Sequence, residues 1–132
     1  MRIGVIGSRE YQNFRKIKDT IFLLTKKFEN LTIVSGGCRD GADKFAKKYA
    51  IELGCSYLEF NPAHTPKNLY SALHENYYGK IYQPKNFFHR NKMLANYVDC
   101  LIAFIPKDGK SSGSEHTIKE AKKMNKKVVI IS

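Results

Sequence analysis

Four stretches gather glycine, hydroxyl and guanidinium groups in the way an anionic ligand requires. They are Gly7-Ser8-Arg9, the run SGGCRDGAD at residues 35–43, HRNKM at 89–93, and PKDGKSSGSEHT at 106–117. Glycine lets backbone N–H groups approach a ligand closely, serine donates from a short arm, and arginine offers a fixed positive fork. The first stretch reads either as a turn that carries an arginine or as one wall of an anion site. In the second, Gly36 and Gly37 permit close approach or positive φ, Arg39 adds charge, and Asp40 or Gly41 can open a helix. Asp43 then falls in the first turn of that helix, where it either complements the dipole or accepts from a ribose hydroxyl. In the last stretch Ser111, Ser112, Gly113 and Ser114 precede a further helix, so their N–H groups and hydroxyls either converge on a phosphate or simply cap it. Arg90 suits a phosphate clamp and Asn91 a reader of base or ribose edges; the alternative is a pair of surface polar groups.

The elements that must position these residues alternate along the chain. Arg2–Ile6, Leu31–Ser35, Cys55–Phe60, Cys100–Ile105 and Lys127–Ile131 are short runs rich in Ile, Val, Leu and Phe, the pattern of strands buried on both faces. Between the first two, Ile17, Ile21, Leu24 and Phe28 recur at helical spacing with lysines and Arg15 mostly on the other side. Ala42, Phe45, Ala46, Tyr49, Ala50 and Leu53 repeat the pattern, and Gly54 supplies a stop. Helices are expected over about Asn86–Val98 and Ser114–Asn125 as well. Alternation of this kind predicts one α/β, Rossmann-like doubly wound domain over residues 1–132, with a five-stranded parallel sheet in the order 3-2-1-4-5 and helices on both faces. In that order the winding reverses between the first and fourth strands, and ligands bind outside the carboxyl ends of strands at such a point. The glycine- and serine-rich stretches follow strands one, two and four, so all of them should line that crevice.

Composition sets outer bounds. The 132 residues suffice for a domain that folds without staples. Cys38, Cys55 and Cys100 are odd in number and lack C-x-x-C spacing, which argues against a disulfide framework or a zinc site. His64, His74, His89 and His116 show no ligand spacing, so neither a metal nor another cofactor is expected. No run is long enough for a membrane span and the chain opens directly on a strand, which reads as a cytoplasmic protein with no membrane partner. The net charge of +11, from 23 Lys and Arg against 12 Asp and Glu, favours a polyanion or a phosphorylated ligand, unless the lysines only coat helix faces. The stretch from 61 to 85, with Tyr70, Tyr77, Tyr78 and Tyr82, reads as a lid over the site or as a contact between copies in a homo-oligomer.

IGSRE, IVSGGCRDGADKFAKKYA, HRNKMLANYVDCLIAF and SSGSEHTIKEAKKMNKKVVII, in this order, resemble the SLOG superfamily, which groups the DprA/Smf DNA-processing proteins with the LOG phosphoribohydrolases. The resemblance covers nearly the whole chain and is closest to the small YspA, or cpYpsA-related, proteins. It implies a Rossmann-like fold holding a nucleotide or nucleotide-derived ligand against Gly7, Ser8, Arg9, Gly36, Gly37, Arg39, Asp43, Arg90, Asn91, Ser112, Gly113 and Ser114. It implies less about reaction. LOG-type enzymes cleave an N-glycosidic bond with the glutamate of PGGxGTxxE, and placing Gly113-Ser114 on that Gly-Thr puts Thr117 where the glutamate belongs. The expected function is therefore a sensor, carrier or sequestering module for such a ligand. The alternatives are a nucleotide N-glycosidase and a DprA-like single-stranded DNA binder.

Overall fold

The computed structural model describes residues 1–37, 41–60, 84–107, 109 and 112–132, with the side chains of 84–87 and 112 excepted. Cys38, Arg39, Ser111, the four tyrosines named above and residues 61–83 of the expected lid lie outside the described residues. In chain order the elements are β1 (Arg2–Gly7), α1 (Phe14–Lys27), β2 (Thr32–Ser35), α2 (Ala42–Glu52), β3 (Ser56–Glu59), α3 (Pro84–Tyr97), β4 (Cys100–Phe104), α4 (Ser112–Lys123) and β5 (Lys127–Ile131). The five strands form one parallel sheet in the order β3-β2-β1-β4-β5, as the alternation predicts. Strand pairing is continuous: Ile3 lies opposite Ile33 on β2 and opposite Cys100 on β4.

Side chains alternate across the sheet and divide the interior in two. Ile3, Val5, Ile33, Ile102 and Phe104 meet Ile17 and Ile21 of α1 and Ala46 and Tyr49 of α2. Ile6, Val34, Leu101 and Ala103 meet Leu94 and Ala95 of α3 and Ile118 and Ala121 of α4. Burying each of the larger aliphatic side chains is worth roughly 1.5–3 kcal/mol, so these two layers hold the strand ends in place. Gly4 leaves room for the side chains beneath α3, because a Cβ there would lie 2.7 Å from Leu101 Cδ1 and 3.3 Å from Leu94 Cδ2 of the helix.

Helix ends fix the loops. Asn13 caps α1 by accepting from Lys16 N–H at 3.2 Å. Gly54, at φ 78°, ends α2 with paired bonds from Gly54 N–H to Ile51 O (3.2 Å) and from Cys55 N–H to Ala50 O (2.8 Å), which turns the chain directly into β3.

Two details differ from the sequence reading. Only β1, β2 and β4 are buried on both faces; β3 and β5 are the sheet edges, and Val129 and Ile130 of β5 are exposed. Composition alone does not separate an edge strand from a central one when both are aliphatic. The second difference is that α3 and α4 each begin two residues earlier than expected, which places Arg90 and Asn91 in the second turn of α3. Among the described residues no helix is long and apolar enough to cross a membrane.

Candidate functional site

Six described polar residues are buried: Ser8, Ser35, Asp43, Asn91, Ser114 and Thr117. Every one of them lies at the carboxyl end of the sheet. Ser8 and Ser35 close β1 and β2, Asp43 and Ser114 occupy the first turns of α2 and α4, and Asn91 and Thr117 stand one turn into α3 and α4. Buried polar groups cost free energy unless they are bonded, and the bonds here tie the strand ends to the helix starts.

At β1, Gly7 permits a close approach, since a Cβ would run into Phe104 O and the Ala42 side chain. Ser8 then serves as a hub. Its N–H donates to Phe104 O (3.0 Å), and its carbonyl accepts from Tyr11 N–H (3.2 Å) and Ala42 N–H (3.1 Å). Its hydroxyl accepts from Glu10 N–H at 3.1 Å. The Ala42 bond joins the first loop to the N-terminus of α2, which carries no side-chain cap. Gly41, at φ 70°, is the residue that makes this junction possible, because any side chain would strike Ser8 O and the Arg9 backbone. Arg9 itself is exposed beside the junction.

At β2, Gly36 has the Arg90 guanidinium where a side chain would stand, with Arg90 Cζ 2.9 Å and Asp43 Oδ2 3.2 Å from an ideal Cβ. Arg90 Nη1 donates to Gly36 O (2.6 Å) and to Phe60 O (3.1 Å), and Nε donates to Asn91 Oδ1 (2.8 Å). Asn91 Nδ2 continues to Gly113 O (3.2 Å), which also accepts from Thr117 Oγ1 (3.1 Å). A single chain of hydrogen bonds therefore runs from the ends of β2 and β3, through α3, to the start of α4.

Two further bonds flank it. Gly37, at φ 76°, donates its N–H to Ser35 Oγ (3.1 Å), and Tyr57 Oη donates to Glu59 Oε1 (2.8 Å). Lys47 Nζ stands 3.6 Å from the same Glu59 oxygen. Burial, opposed by the Ser35 hydroxyl and reinforced by the Glu59 charge, raises the Tyr57 hydroxyl far above its ordinary range. It remains a neutral donor.

The structure thus gathers Gly7, Ser8, Arg9, Gly36, Gly37, Asp43, Arg90, Asn91, Gly113 and Ser114 at one edge, together with the backbone of Ser112. It also uses Arg90 and Asn91 as struts between elements, an assignment that residue type alone does not reveal. Sequence reasoning did not single out Ser35, Tyr57 or Glu59, and it met Thr117 only as the residue standing where a LOG-type glutamate belongs. The available signal was polarity at the last position of each strand, Ser35 in β2 and Glu59 in β3. Among the described residues no group of three or more His, Cys, Asp or Glu side chains is placed to hold a metal ion.

Solved structures share this scaffold. DNA processing protein A from Helicobacter pylori, whose structure describes a single-stranded DNA binding mode, superposes with a TM-score of 0.74 at 18% identity over 98% of this chain. The present chain spans 64% of that protein's chain. The molybdenum cofactor carrier protein of Chlamydomonas reinhardtii superposes with a TM-score of 0.63, also at 18% identity, over 98% of this chain and 74% of its own. At such identities the likeness is one of fold. No curated protein matches the sequence. Both neighbours fit the SLOG grouping, and the sequence matches the DNA recombination-mediator protein A family from residue 1 to residue 132. The chain belongs to the DNA recombination-mediator protein A family.

Proposed function

We propose that the carboxyl edge of the sheet binds a phosphate-bearing, nucleotide-derived ligand, and that the protein acts as its sensor, carrier or sequestering module. The observation that carries this reading is the confinement of all six buried polar residues, among those described, to that one edge. A fold that needed only stability would not concentrate its desolvated polar groups at a strand switch point, where ligands of such sheets bind. Arg9 supplies an exposed cation, and the starts of α2 and α4 turn N–H groups toward the same edge.

Binding is favoured over glycosidic cleavage by Thr117. It occupies the position that a LOG-type glutamate would take, is buried, and bonds to Gly113 O at 3.1 Å. Neither neighbouring glutamate replaces that carboxylate. Glu115 is exposed, and Glu120 stands 3.6 Å from both His116 Nε2 and Lys123 Nζ.

A second reading, single-stranded DNA bound at this edge, is favoured by family membership and the net charge of +11. Thermal unfolding with AMP, ADP-ribose, inorganic phosphate and a dT15 oligonucleotide separates the two, with each ligand recovered afterwards by chromatography. A ligand at a hundred times its Kd adds about 2.7 kcal/mol of stability. The first reading expects a rise with AMP or ADP-ribose, recovered intact and weakened in Ser114→Ala. A rise with dT15 alone, abolished by salt, would replace it with the second.

A further inference from the structure

Away from that edge, α4 and β5 enclose an open groove of about 660 Å³ floored by Ile105, Ile118 and Ile130 and rimmed by Lys119, Lys122 and Lys123, with Glu115 at one end. β5 is the outermost strand of the sheet. Ile131 O accepts from Ile105 N–H at 2.9 Å, so Ile131 turns its backbone toward β4. Because backbone groups alternate along a strand, Val128 and Ile130 turn theirs outward. Ile130 is therefore both a floor residue of the groove, 57% exposed, and a position with outward-facing N–H and C=O. Edge strands are commonly blunted by a bulge, a proline or an inward charge. The KVVII sequence of β5 carries only Lys127, at its first residue.

We propose that this groove is a docking site for an acidic, extended segment of a partner protein, which adds to the sheet alongside β5. Its same-face residues would alternate between an aliphatic side chain, seated on Ile105, Ile118 and Ile130, and a carboxylate facing Lys119 and Lys122. Charge selects the occupant. Lys123 stands 3.6 Å from Glu120, whereas Lys119 and Lys122 have no acidic partner among the described residues. A second copy of this chain would bring the same lysines together across a two-fold axis, in a protein that already carries +11. Single-stranded nucleic acid would find no aromatic ring among the described residues of the groove on which to stack a base. Main-chain pairing supplies affinity in strand addition, and pockets for alternate side chains supply specificity.

The test uses a fluorescein-labelled peptide, TETITETIT, whose even positions place Glu and Ile on one face, and the control TETSTETST, which keeps the charge. Fluorescence anisotropy with the full chain should show saturable binding of the first peptide and at least tenfold weaker binding of the second. Ile130→Ser and Lys119→Glu/Lys122→Glu should each weaken binding at least tenfold without lowering the melting temperature. Ile130→Pro, which removes an outward N–H, should do the same. Val129→Ser, on the opposite face of β5, should leave binding unchanged. Equal binding of the two peptides, or indifference to the Ile130 and lysine variants, overturns the proposal. So does displacement of the peptide by dT15, which would make the groove a nucleic-acid site. Light scattering that shows a dimer dispersed by Ile130→Ser would make it a self-association face and would also overturn the proposal.

Discussion

The contact between Gly36 and Arg90 can be tested by a double-mutant cycle whose outcome follows from geometry. Gly36 is held at its position by sterics rather than by backbone conformation, since its φ is not among the positive values. A methyl group at 36 would strike the Arg90 guanidinium and approach Asp43 Oδ2 to 3.2 Å. The carboxylate can shift by a few tenths of an ångström. The guanidinium cannot do so without giving up its bonds to Gly36 O and Phe60 O. Hydrogen bonds from a charged donor are worth roughly 1.5–3 kcal/mol each, and water can partly replace the arginine at these half-buried carbonyls. Gly36→Ala should therefore cost about 2–3 kcal/mol and Arg90→Ala about 3 kcal/mol, because the latter also removes the donor to Asn91 Oδ1. Once Arg90 is absent, the methyl at 36 keeps only its 3.2 Å approach to Asp43 Oδ2, which a small shift relieves, and the double variant should cost about 3 kcal/mol rather than nearly 6. Urea unfolding of the four proteins, fitted with a common slope, measures each value. Additive costs would refute the assignment of Gly36 as the seat of Arg90, and would mean that the two residues act on stability separately.

Other consequences follow from single groups. Tyr11 is buried against Phe104, and its hydroxyl has no hydrogen-bond partner among the described residues; Tyr11→Phe should stabilise the fold by about 1 kcal/mol and raise the melting temperature by about 3 °C, and a fall in either would point to a bond from outside those residues. The Asp99 carboxylate accepts from Arg2 N–H at 2.8 Å, which, with the Arg2 guanidinium, lowers its pKa below the ordinary value near 3.9. A depressed carboxylate contributes stability that is present above its unfolded pKa and lost as pH falls through the folded one, so Asp99→Asn should flatten the acid limb of the stability profile and leave its shape near neutrality unchanged. Burial raises the pKa of both the Cys55 and Cys100 thiols, so both should react with a disulfide reagent at pH 8 far more slowly in the folded chain than in urea; equal rates would refute their burial.

Topology was legible because it rests on periodicity. Aliphatic runs of strand length alternated with helical repeats, and parallel strands with right-handed crossovers leave few arrangements. The location of the candidate site was read from topology, since three glycine- and serine-rich loops fell at the same ends of three adjacent strands. What stayed hidden was the use of each side chain. Whether an arginine faces a ligand or braces a helix depends on which carbonyls lie within 3 Å of it, and Gly36 O and Phe60 O come to Arg90 from two different strands. Edge status was hidden for a similar reason. The exposure of Val129 and Ile130 reflects the position of β5 at the edge of the described sheet rather than any feature of KVVII itself.

The ligand-binding reading makes unequal demands on Arg9 and Arg90, the two described arginines of the candidate site, and this gives it a sharp test. Arg90 spends Nη1 and Nε on three protein acceptors, so its removal acts first on stability, and any loss of binding would follow from displaced loops. Arg9 is exposed and follows Ser8, whose carbonyl holds the start of α2 through Ala42 N–H. An incoming phosphate at that helix start would meet Arg9 without disturbing any strut. Arg9→Ala should thus leave the melting temperature within about 1 °C, as surface substitutions usually do, yet weaken AMP or ADP-ribose binding by about tenfold, the loss of one charge-assisted contact of about 1.4 kcal/mol. Calorimetric titration of both variants reads the difference. Unchanged affinity in Arg9→Ala would remove the first loop from the site and leave the starts of α2 and α4 to hold the anion alone.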